Sequence, residues 1–261
     1  MSIKQIIAIY CIIGLLPLGL QAQDINKVDS QNRKQGKWIR KDNEGRATYE
    51  GFFVNDKPVG EFIRYHKNGK VRAKQLYAEG ADSCYVELFL ENGDKTAEGG
   101  YVNERKSGQW KYYGSNKEVI LTESYRYGTL NGESIRYYAD GVVLEKSSWA
   151  MGKQQGVYSR HFENGALNFE MVYTNDVPNG PIRHYYPNGA LKMEGAYKNG
   201  LRDGKWITYS ENGKDQKAAT YVNGVADNEA EELIKETEWL NSLESKKGTI
   251  SEPDESSIRI R

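Results

Sequence analysis

Three histidines, His66, His161 and His184, and one cysteine within the body of the chain, Cys84, are the residues best suited to metal ligation or proton transfer. A zinc or iron site needs several such groups at set spacings. In the 24-residue register set out below, the histidines fall at three different phases, so they point to different faces or depths and assemble no ligand set. Each reads instead as a substitute for the Tyr, Phe or Arg of a sibling segment. Carboxylates are plentiful, and Glu50, Glu98, Glu170 and Glu194 recur in one slot. Counting across the expected strand pairs sets Ile39, Glu87, Ser159 and Arg183 opposite them, which gives no consistent acid–base partner. Neither a Gly-x-Ser-x-Gly elbow nor a Gly-x-x-x-x-Gly-Lys-Ser/Thr phosphate loop occurs. Catalysis needs one unique constellation, so the expectation is a non-enzyme with no catalytic residue, no metal site and no cofactor.

One recurring feature offers binding chemistry. Arg40, Arg64, Arg136 and Arg160 share a slot, with His184 in the same position, next to an aromatic column of Tyr65, Phe89, Tyr113, Tyr137, Tyr185 and Tyr209. Arginines regularly spaced beside rings would grip an extended anionic polymer, a phospholipid surface or an acidic strip on a protein. The plainer reading is a solvated stripe whose stems cover the rings. These residues form the candidate binding surface.

What positions them is a repeat. Slid by 24 residues, the chain overlays itself from Gly36 to about Asp227 in eight copies. Each copy opens on glycine (Gly36, Gly60, Gly108, Gly132, Gly156, Gly180, Gly204), with Cys84 as the exception. A turn glycine follows nine positions later, replaced only by Lys117. An aromatic closes the pattern in every copy, at Phe53, Tyr77, Tyr101, Tyr125, Trp149, Tyr173, Tyr197 and Tyr221.

Within a copy, two β-prone runs flank Asn-Gly, as in Asn68-Gly69, which predicts a hairpin with a two-residue type I′ loop. That loop pairs Trp206 with Ala219, Ile182 with Gly195, Trp38 with Gly51 and Tyr186 with Leu191. A bulky ring would then fill the space above the glycine across its own hairpin, with the repeat tyrosine on the same face. A second turn, at Asp56, Gly80, Gly128, Gly152, Asp176, Gly200 and Gly224, tolerates left-handed backbone and leads into the next hairpin. The expected fold is all-β: an elongated single-layer antiparallel meander, or solenoid, of eight 24-residue β-hairpin repeats with a C-terminal capping α-helix.

The motifs Tyr185-Tyr-Pro-Asn-Gly189, Glu194-Gly-Ala-Tyr197 and Lys198-Asn-Gly-Leu-Arg-Asp-Gly-Lys-Trp206 resemble the MORN-repeat variant family, whose bacterial members include YwqK-type antitoxin components of toxin–antitoxin modules. The resemblance takes in about three quarters of the chain. It implies the hairpin array, and a scaffold that contacts protein or lipid. The copy from Cys84 and the turn region Gly114–Ile120 depart from the pattern.

Outside the array, residues 1–22 read as a signal peptide: Lys4, the apolar run Ile6–Leu20, and cleavage after Ala22. An uncleaved anchor, or a lipoprotein through Cys11, are the alternatives. Residues 23–35 form a polar leader. Asn228 and Glu231 make a capping box for a helix over 228–247, with Ala230, Leu233, Ile234, Thr237 and Leu240 on one face. That helix either covers the last strand edge or docks a partner. Residues 248–261 read as a disordered tail. Loss of residues 1–22 leaves Cys84 unpaired, so cohesion comes from strand pairing and burial.

Composition agrees. A hydrophobic fraction of 38% is low for one thick core, while 19 Tyr and 5 Trp are abundant, and large amphipathic rings suit a thin sheet. A formal net charge of +0 steers the molecule toward neither nucleic acid nor an anionic membrane. The functional expectation is an exported scaffold, placed in the periplasm, at the outer membrane or outside the cell. It would bind another protein, toxin-like or of the envelope, in an antitoxin-like or immunity-like way. The alternative is an envelope module that contacts membrane lipid or cell-wall glycan.

Overall fold

In a computed structural model, residues 24–78, 82–226, 239, 241 and 242 are described. The expected signal peptide and its cleavage site, the turn at Gly80, most of the helix over 228–247 and the tail lie outside them. The described chain forms one open sheet of 19 strands, each pairing antiparallel with its neighbour in chain order, except that Lys153–Gln154 and Gly156–His161 both pair with Val143–Ala150. The all-β meander of eight hairpins holds. It begins one strand earlier than the first repeat, because Lys27–Val28 pairs with Lys34–Lys41. Asn26 extends that pairing with its side chain: Ile39 N–H donates to Asn26 Oδ1, and Asn26 Nδ2 donates to Ile39 O.

The far ends of the hairpins pair as the spacing predicts, with Trp206 beside Ala219, Ile182 beside Gly195 and Trp38 beside Gly51. The loops differ. At Tyr186-Pro-Asn-Gly-Ala190, Gly189 N–H donates to Tyr186 O and Tyr186 N–H to Ala190 O, so three residues form the loop and only Gly189 is left-handed, at φ 84°. Asn188 serves by accepting the Ala190 N–H on Oδ1 at 2.9 Å. Its side chain, not a positive φ, explains the Asn-Gly pair. Because this loop holds one residue more than a two-residue loop, Leu191 lies opposite Tyr185 and not Tyr186, and a bulge between His184 and Tyr185 restores the register. The same one-residue correction recurs in the first seven hairpins.

Type I′ geometry sits at the other turn. Asn199 and Gly200 have φ of 52° and 83°, and Lys198 pairs with Leu201. The aromatic or long residues Tyr127 and Met151 occupy the same left-handed position in their turns. Among the described residues each such turn also donates a backbone hydrogen bond to the preceding repeat, as Gly200 N–H does to Pro178 O at 2.8 Å. The described turns therefore form a spine along one side of the sheet.

Both departures are absorbed. Lys117 takes the glycine place of its loop at φ 68°, with Lys117 N–H donating to Gly114 O. Around Cys84, which is buried and free, the strands Val71–Tyr77 and Ser83–Phe89 pair in an unbroken register without the bulge found elsewhere.

One face of the sheet is buried and the other is open. On the buried face lie two clusters, one around Val86, Ala97, Trp110 and Tyr112, the other around Phe169, Ile182, Tyr197, Trp206 and Tyr221. Rings and repeat tyrosines do share this face, with edge-on pairs such as Tyr197–Trp206 at 5.2 Å and Tyr101–Trp110 at 5.1 Å. The ring above each glycine is not that of its own hairpin, however. Phe62, Trp110 and Trp206 lie over Gly51, Gly99 and Gly195, each on the preceding repeat. The indole N–H of Trp110 reaches Gly100 O and that of Trp206 reaches Ala196 O. Glycine-to-ring packing therefore joins one hairpin to the next.

Candidate interaction surface

Successive side chains of a strand point to opposite faces. The arginine slot and the tyrosine column are sequence neighbours, so the structure separates them, and the expected joint surface does not form. Arg64, Arg136, Arg160 and His184 lie on the buried face. The Arg64 guanidinium stands over Phe62 at 5.2 Å and donates to Gln75 Oε1. Arg136 and Arg160 approach the same carboxylate, Glu145, each at 3.8 Å. His184 stacks on Phe169 at 5.0 Å, and burial holds its imidazole down to a pKa of about 4, helped by Lys192 and Arg202. Arg40, in the first repeat, is exposed.

A second cationic position was missed in the sequence. Lys34, Lys106 and Arg202 each precede a tryptophan by four residues across the opening glycine, and each lies against that ring. Arg202 is 4.1 Å from the Trp206 ring and donates to Tyr221 Oη at 2.6 Å. Repeats without tryptophan carry Pro58, Asp82, Leu130, Gln154 or Pro178 there. The pattern Lys/Arg-x-Gly-x-Trp was the available signal.

The tyrosine column belongs to the open face. Tyr65, Tyr113, Tyr137, Tyr185 and Tyr209 are half-buried there, roughly 10 Å apart in adjacent repeats, which is two strand spacings. Across the junction between repeats, Tyr113 Oη donates to Glu98 Oε1 at 2.8 Å and Tyr209 Oη to Glu194 Oε1 at 2.9 Å; Tyr65 makes the same bond to Glu50. Burial and the carboxylate push the Tyr65 and Tyr113 hydroxyls up to about 12. Hence three of the four recurrent glutamates, Glu50, Glu98 and Glu194, share a partner, a tyrosine 15 residues on in the next repeat. The carboxylates also pair with cations: Lys95 with Glu87 and Glu98, Arg183 with Glu170, Lys37 with Glu50. Between these pairs, Ile39, Ile63, Ile135 and Ile207 are half-exposed, with Phe52 and Val157 more open still.

The histidines do not meet. His66 Nε2 lies 2.8 Å from Phe89 O at the end of the strand Ser83–Phe89, while burial lowers the pKa of His161. Among the described residues no group of three His, Cys, Asp or Glu side chains is placed to hold a metal ion. None of the described helical residues forms a helix long and apolar enough to cross a membrane.

No curated protein matches the chain. Among solved structures, a mutant of S. aureus TarM in complex with Fondaparinux, alpha-GlcNAc-glycerol and UDP aligns at 12% identity with a TM-score of 0.29, over 37% of this chain and 19% of that one. Residues 58–79, 130–150, 178–199 and 202–223 match the family model of the MORN repeat variant, so four of the hairpins are similar to that repeat.

Proposed function

We propose that the chain is an exported, non-enzymatic scaffold whose open face binds another protein. The observation that carries this reading is the row of tyrosines on that face, of which Tyr65, Tyr113 and Tyr209 are anchored to glutamates, interleaved with half-exposed isoleucines and with charges of both signs. Pre-positioned tyrosines supply large contact area at little entropic loss, and mixed, paired charge suits a complementary protein better than a uniformly anionic surface. Export is argued from the apolar run Ile6–Leu20 and the small residues before Gln23. An antitoxin-like or immunity-like role then means that the partner is met in the periplasm, at the outer membrane or outside the cell.

The second reading is contact with membrane lipid or cell-wall glycan, for which exposed aromatic faces are also suited. It is weakened by the fate of the arginines: Arg64, Arg136 and Arg160 are engaged on the buried face and offer no cationic stripe to lipid headgroups.

The test is recovery of the intact protein with its partner from native extract, compared with Ile63→Lys and Ile207→Lys variants on the open face. Loss of the partner with unchanged circular dichroism supports the reading. Sedimentation with phosphatidylglycerol vesicles or insoluble cell wall, unaffected by these variants, would replace it with the second.

A further inference from the structure

The ring-filled face is interrupted near its middle. One hydrophobic cluster ends at Leu121 and Tyr125, the other begins at Tyr158 and Phe169, and the fifth repeat lies between them. There Ser134 stands where the flanking repeats carry Trp110 and Tyr158, so a small hydroxyl replaces a ring. Cross-strand pairing sets Arg136, Glu145 and Arg160 in one line over three strands, all on this face. Trp110 and Phe169 to either side are buried, whereas these three side chains are 24%, 28% and 21% exposed. Solvent therefore reaches the face at this gap.

The gap holds one carboxylate between two cations. Arg136 Nε lies 3.8 Å from one oxygen of Glu145 and Arg160 Nε 3.8 Å from the other, too long for hydrogen bonds. Glu145 instead accepts a hydrogen bond from the Tyr158 hydroxyl. Among the described residues neither guanidinium donates a hydrogen bond, and the Ser134 hydroxyl has no partner. Glu123, cross-strand from Ser134, is buried and already accepts the Tyr125 hydroxyl at 2.6 Å, and the Lys106 ammonium stands 5.0 Å from that same ring.

We propose that Arg136, Arg160 and Ser134 form a binding site for a small oxyanion, a carboxylate or phosphate group. Two guanidiniums around one carboxylate leave a positive charge that a monoanion neutralises. Each guanidinium fork matches the paired oxygens of a carboxylate or phosphate, and Glu145, at its distance, fills neither fork. The Ser134 hydroxyl adds a donor without adding charge. Glu145 lies between the forks, so it positions them and also opposes the incoming charge. This is one local site in the fifth and sixth repeats and not a stripe along the array, and it takes no part in the open face.

The test follows the Arg136 and Arg160 Nε–H resonances of the full chain as sodium phosphate or sodium acetate is added at constant ionic strength. Both resonances should shift and saturate together, while that of Arg40, exposed in the first repeat, stays in place. R136Q or R160Q should weaken binding about tenfold, by loss of charged hydrogen bonds. E145Q removes the opposing charge and should tighten binding by at least about fivefold. Tighter binding of phosphate than of acetate identifies a phosphate ester as the ligand group, the reverse a carboxylate, and either supports the site. Shifts that grow without saturating, or that Arg40 shares, mean ionic screening and overturn it. An E145Q chain that binds no more tightly overturns it as well, and because that variant keeps both cations it decides the matter even where an arginine variant fails to fold.

Discussion

Trp206 lies over Gly195 on the preceding repeat so closely that a Cβ at 195 would stand 2.3 Å from the indole. The absent side chain is what admits the ring. Gly195→Ala should therefore lower stability by about 1–3 kcal/mol through overpacking, read as a fall in the urea midpoint. Most of that loss should vanish in a Trp206→Leu background. An equal loss in both backgrounds would mean that the glycine serves its own backbone and not the neighbouring ring.

The turn spine carries a second, opposite expectation. Met151 and Tyr127 hold left-handed backbone at φ of 51° and 52°, where sibling turns place asparagine. Left-handed backbone costs roughly 1–2 kcal/mol for most residues and less for Asn. Met151→Asn and Tyr127→Asn should each raise stability, by about 0.5–1 kcal/mol, in thermal or urea melts. Tyr127 should gain less, because its ring also meets Arg126.

Arg202 against Trp206 and Tyr221 predicts the effect of removing a cation from a ring. Arg202→Met keeps the stem and loses the charge and the bond to Tyr221. Stability should drop by about 1–2 kcal/mol, with Arg202→Lys between. Calorimetry with tryptophan emission would check both variants.

His184 predicts a pH dependence. Burial lowers its folded pKa to about 4 from an ordinary 6.5, with Lys192 and Arg202 adding repulsion. Between these values the unfolded chain binds more protons, so stability falls as pH drops from about 6.5 toward 4 and is fully present above that window. Urea midpoints from pH 4 to 7 should slope in the wild type and flatten in His184→Gln. A slope unchanged by the substitution would point to the carboxylates instead.

Much of this architecture could be read from the chain, because a 24-residue period leaves few ways to fold. The hairpins, the far register and the left-handed second turn follow from glycine, asparagine and aromatic spacing. The loops could not be assigned from Asn-Gly alone: asparagine satisfies a backbone N–H in one geometry and tolerates positive φ in the other, and here Asn188 does the first and Asn199 the second. The separation of the arginines from the tyrosines has a simpler reason. Arg64 and Tyr65 are adjacent in a strand, so their proximity in sequence separates them in space. The bonds from Tyr113 to Glu98 and from Tyr209 to Glu194 cross between repeats, a distance that pairing within one hairpin does not reveal.

The central claim is that the tyrosine–glutamate face, and not the ring-filled one, meets the partner. Hydroxyl-radical footprinting of the full chain, alone and with its co-purified partner, tests it most directly. Protection of Tyr113, Tyr185 and Tyr209 with Phe62, Trp110 and Trp206 unchanged is the predicted result; protection confined to the turn spine or to the buried face, with those tyrosines as reactive as before, would contradict it.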